Sequence, residues 1–62
     1  MIEPLLTPED VAVVLLVKAG QEDREAKMLG MPNGSAAHMR ANIWRHAAVI
    51  ACPEAAERML RK

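Results

Sequence analysis

Aromatic residues are almost absent from this chain. Trp44 is the only one among 62 residues, with no Phe and no Tyr, so the apolar 52 % must do its work through Ala, Leu, Val and Met. Cysteine is nearly absent too. Cys52 stands alone, which excludes a disulfide within one chain. With no signal peptide to read, the expected setting is reducing and cytoplasmic, with Cys52 serving as a small buried hydrophobe. Charge of either sign is not in excess: eight basic and eight acidic residues cancel. That balance weakens the case for strong nucleic-acid binding, whose affinity rests largely on neutralising phosphates. The longest apolar run, Val11–Val17, has seven residues, far short of the ~20 needed to span a membrane. Soft metal ligands are limited to His38, His46 and Cys52. The two histidines lie eight residues apart and point about 80° from each other on a helix, so zinc could be held only by sharing between chains. No phosphate loop and no glycine fingerprint is present, and neither a metal nor another cofactor is expected.

The local pattern predicts helices. Ala and Leu are strong helix formers, and strong strand formers are scarce outside residues 11–17. In "LLTPEDVAVV", Thr7 has the place of an N-cap, Pro8 that of the first helical residue, and Asp10 completes a capping box, with Leu6 positioned to staple onto Val11. A helix over about 8–19 follows, closed by Gly20. A strand through "VAVVLLV" would need a partner strand from another molecule, and the cap signals favour the helix. "QEDREAKMLG" predicts a short helix over 22–29, separate from the first or fused with it through Gly20. "GMPNGS" is a loop. Ser35 is the expected cap of a long helix over 36–51, and Pro53 restarts or kinks the chain into a last helix over 53–61. The fold class is therefore all-α, a small three- to four-helix bundle in one domain, 1–62.

Two patterns bear on function. Residues 11–17 are apolar all round a helical wheel, which asks for cover on every side. The remaining helices offer too little, and a chain this short buries only about 60 % of its unfolded surface, so self-association is the expected completion. The expected interface comprises Val11, Val13, Val14, Leu16 and Val17, joined by Ile43 and Trp44, with Met39 and Ile50 beside them. On the helix after the loop, Ala36, Met39, Ile43, Ala47 and Ile50 share one face, and His38, Asn42 and Arg45 form a polar stripe opposite. Charge is divided as well: residues 1–34 hold six acids and three bases, residues 35–62 two acids and five bases. Such polarity suits docking within the chain or between two chains.

Catalytic groupings are thin. Ser35 and His38 are three residues apart, but Ser35 is accounted for as a cap and no orienting acid adjoins them. Glu22, Asp23 and Glu25 alternate with Arg24 and Lys27, as on a solvated face. A DNA-binding alternative has more content: the segment 22–29, the loop and the helix beginning at Ser35 have helix-turn-helix order. His38, Asn42 and Arg45 would then read base edges, with Arg40, Arg58, Arg61 and Lys62 at phosphates. "LLTPEDVAVVL", Leu5–Leu15, resembles the first helix of excisionase and MerR-like DNA-binding domains, which implies a helix-turn-helix fold and duplex recognition. The resemblance covers about a sixth of the chain. Acidic "GQEDREAK" stands where those families carry a turn and recognition helix, so none of their DNA-reading residues has a counterpart here. The leading expectation is a non-enzymatic bacterial or phage accessory protein that self-associates and binds or regulates a protein partner.

Overall fold

Thr7 and Asp10 start the first helix by capping each other. The Asp10 backbone N–H donates to Thr7 Oγ1 at 3.1 Å, and the Thr7 N–H donates to Asp10 Oδ2 at 3.2 Å, satisfying two donors that a helix start leaves open. The computed structural model describes residues 7–61, and these form three helices: α1, Pro8–Leu29; α2, Ser35–Ala51; and α3, Pro53–Leu60. The proposed staple from Leu6 lies outside the described residues.

The expected stop at Gly20 does not occur. α1 continues through it for 22 residues, about 33 Å, so the segments 8–19 and 22–29 are one helix and the described residues hold three helices, not four. An interior glycine costs about 1 kcal/mol relative to Ala. Contacts on both sides of Gly20 offset that cost, because Leu16, Ala19, Glu22, Asp23 and Ala26 all lie on the inward side of α1. The helix ends instead at Gly30, whose φ of 72° suits glycine and whose N–H donates to the Ala26 carbonyl at 3.0 Å.

α2 returns antiparallel to α1. Ala26 lies against Gly34, Glu22 meets Arg40, and Lys18 sits over Trp44, so the paired positions run in opposite directions along the two helices. The close approach at the loop requires Gly34: a Cβ there would stand 2.5 Å from the Ala26 carbonyl oxygen. Gly34 is also the N-cap residue of α2. Ser35, expected in that role, is the first helical residue, and its hydroxyl donates to Met31 Sδ at 3.5 Å.

The core is made of alanine. Among the described residues, eight apolar side chains are buried: Ala12, Leu16, Ala19, Ala37, Ala41, Ala48, Ala55 and Ala56. Methyl-sized side chains let helix axes come close, but each contributes only about 0.8 kcal/mol, against about 1.5–3 kcal/mol for a fully buried Val, Leu, Ile or Met. Cys52, in extended backbone, separates α2 from α3, and Pro53 restarts the helix. α3 then packs Ala55 and Ala56 onto Ala12, Leu16 and Ala48, with Leu15, Ala51 and half-buried Cys52 around them.

Candidate functional site

The polar stripe of α2 turns partly toward α1. Arg45 forms an ion pair with Asp23 and donates from Nη1 to Asn42 Oδ1 at 3.0 Å. His38 Nδ1 lies 4.0 Å from the same Asp23 carboxylate. Arg40 leaves the opposite edge of α2 and donates from Nε to Glu22 Oε1 at 3.1 Å. Arg58 reaches Glu9 at 2.7 Å and Arg61 reaches Glu57 at 2.8 Å. The four arginines named as DNA contacts thus each have a carboxylate partner within the chain. Lys62 lies outside the described residues. Glu22 and Asp23, read from the sequence as a solvated face, are instead the partners of α2. The opposed charge of the two halves was the signal for this: three ion pairs, Arg40–Glu22, Arg45–Asp23 and Arg58–Glu9, join one half to the other.

Asp23, Arg24, Ala26, Lys27, Gly30, Met31 and His38 line an open depression of about 510 Å³ at the loop end of the hairpin. Its chemistry is limited. Ser35 donates to Met31 and not to His38, and His38 stands beyond hydrogen-bond distance from Asp23. Nothing in this corner aligns a nucleophile with a base. Among the described residues, no three His, Cys, Asp or Glu side chains converge on a point that could hold a metal ion, and no helix is long and apolar enough to cross a membrane.

The outward surfaces of the hairpin are apolar. On α2, Met39, Ile43 and Ile50 are 62 %, 57 % and 70 % exposed. They recur at spacings of four and seven residues on one side of the helix, directly opposite buried Ala37, Ala41 and Ala48. Ala36, His46 and Ala47 complete this stripe, which carries no acid and no lysine or arginine. It spans the 15 residues Ala36–Ile50, a rise of about 21 Å. On α1, Val14, Val17 and Met28 are exposed on the side facing away from α2, interrupted by Gln21 and Arg24. Because the two helices turn their small residues toward each other, these two large-residue faces point in opposite directions.

The expected interface residues therefore divide. Val14, Val17 and Ile43 are exposed. Val11, Val13 and Trp44 are half-buried, the Trp44 ring lying 5.9 Å beneath the Lys18 ammonium with its indole N–H buried and without an acceptor. Leu16 is buried within the chain's own core and is not offered to another molecule. Helical periodicity could not tell which apolar side of α2 would face inward, since both sides are apolar and differ only in side-chain size. No protein-family model matches the chain, and neither does any curated protein or solved structure.

Proposed function

We propose that this protein works through its apolar outer faces, as a small helical protein that self-associates and binds or regulates a protein partner. One observation carries the reading: alanines fill the interior while Val14, Val17, Met28, Met39, Ile43 and Ile50 stand outside. Large apolar side chains contribute most when covered, and contiguous exposed patches of them mark interaction surfaces. Two such faces on opposite sides of one hairpin suit two partners, one a second copy and one a different protein. Exposed Met28, Met31 and Met39 add flexible, polarizable contacts that adapt to a partner's shape. Reading of duplex DNA by α2 would have to compete with Asp23 for Arg45 and with Glu22 for Arg40.

Thermal unfolding followed by circular dichroism over a hundred-fold range of protein concentration tests the self-association. If folding is coupled to assembly, the melting temperature rises with concentration, because binding shifts apparent stability by mass action. A melting temperature independent of concentration contradicts it.

A further inference from the structure

Resting on the self-association just proposed, we infer that the occupant of the Ala36–Ile50 stripe is the same stripe of a second copy, antiparallel across a two-fold axis beside Ile43. Three observations point to a copy of this chain. First, the stripe matches its own reverse. Reading outward from Ile43, Met39 on one side corresponds to Ala47 on the other, and Ile50 corresponds to Ala36. An antiparallel pair therefore sets Met39 against Ala47 and Ile50 against Ala36, with Ile43 meeting Ile43 at the axis and His46 level with Arg40 at the edge of the stripe. A parallel pair would set Ile50 on Ile50 and Ala36 on Ala36, wedging the helices apart at one end. Second, the charges permit it. α2 contains no Asp or Glu, and its two arginines are held off the stripe by Glu22 and Asp23 of α1, so two copies of the face meet without unpaired like charge. The antiparallel arrangement also opposes the two helix dipoles. Third, the size asked of the face is modest: the smaller stable interfaces take about 600 Å² from each partner, one-eighth of the 4801 Å² that the chain exposes. A two-fold axis closes this contact, leaving the α1 face with Val14 and Val17 on the outside of the dimer.

Cysteine cross-linking of the 62-residue chain tests the arrangement, in a Cys52→Ala background so that each variant carries one thiol. Ile43→Cys, treated with a short bifunctional thiol reagent, should convert to covalent dimer roughly ten-fold or more faster than Val14→Cys, because the paired thiols share a high effective concentration. Ala36→Cys and Ile50→Cys should cross-link slowly when alone and rapidly with each other when mixed. Ala36→Cys joining to itself as fast as Ile43→Cys would show a parallel pair and overturn the proposal. Light scattering on the same samples separates the remaining outcomes. An oligomer in which Val14→Cys cross-links and Ile43→Cys does not would overturn the α2 seam but leave self-association standing. A monomer at every concentration would overturn both, and a monomer that instead binds a different protein through Ile43 would assign the stripe to that protein. Circular dichroism of each variant, and of Cys52→Ala alone, checks that the helices persist, which is expected since Val14, Ala36, Ile43 and Ile50 are exposed in the single chain and Cys52→Ala removes one half-buried sulfur.

Discussion

The two sides of α2 reverse the ordering expected of an amphipathic helix. Its inward side presents Ala37, Ala41 and Ala48 to α1, while its outward side presents Met39, Ile43 and Ile50 to solvent. In a monomer that completes its own core, the larger side chains go in, because each withdraws more apolar surface from water. Here size is sorted the other way. The small side governs how closely α1 and α2 approach; the large side holds most of the hydrophobic free energy α2 can still gain. Intrachain packing thus uses one face of α2, and the proposed intermolecular packing would use the other, so substitutions on the two faces should have different consequences.

The largest effect is expected on the inner face. Ala41→Leu or Ala48→Leu forces extra carbons between closely packed helices and should cost about 1–3 kcal/mol. The melting temperature would then fall by roughly 4–8 °C per kcal/mol in a domain of this size. The comparison fails if these substitutions are as benign as Ile43→Leu on the outer face. Gly34→Ala acts at the mouth of the same inner seam. Its Cβ would meet the Ala26 backbone at 2.5–3.0 Å, and a loss of about 1–2 kcal/mol is expected by chemical denaturation. Gly20→Ala should do the opposite. The added Cβ would find its nearest contact at 3.8 Å, on the flexible Arg24 side chain, and a gain of about 0.5–1 kcal/mol follows if α1 is continuous. A loss there would mean that the chain breaks at Gly20. The smallest effect belongs to Arg45→Ala, which removes a partly exposed pair with Asp23 and should change stability by no more than about 1 kcal/mol. The same variant bears on the DNA alternative: if Arg45 reads a base, its removal costs about 1–3 kcal/mol of binding to a selected duplex and relaxes specificity at one position.

Much of the helical layout was legible in the sequence because the relevant physics is local. The Thr7–Asp10 capping box, the stop at Gly30 and the restart at Pro53 depend on residues within one turn of each other. Gly20 was ambiguous for a physical reason. Its local preference opposes a helix by only about 1 kcal/mol, and the deciding contacts, Glu22 with Arg40 and Asp23 with Arg45, come from 18 and 22 positions away in the chain. Ser35 is a sound cap by composition, yet Gly34 takes the position because only a residue without Cβ fits against Ala26. Leu16 could not be separated from its apolar neighbours by the wheel, since all seven residues of the run are apolar; α3, folding back with Ala55 and Ala56, selects it for burial. The polar stripe of α2 was identified as a group, but its partners on α1 depend on the hairpin register.

The proposed pairing of two copies through the outer face of α2 is tested most directly by the equilibrium mass of the chain in solution, measured by sedimentation beside Ile43→Asp. Met39, Ile43 and Ile50 are 62 %, 57 % and 70 % exposed, so covering that share of each on two copies yields a gross gain of roughly 6–11 kcal/mol, at about 1.5–3 kcal/mol per fully covered side chain. That is comparable with the ~4–15 kcal/mol that association costs, so the measurement should extend over a wide concentration range. The expected result is twice the 6.8 kDa chain mass for the native sequence, falling toward 6.8 kDa on dilution, and a helical 6.8 kDa monomer for Ile43→Asp. A native chain that remains at 6.8 kDa even at the highest concentration, or an Ile43→Asp variant that assembles as the native chain does, would contradict it.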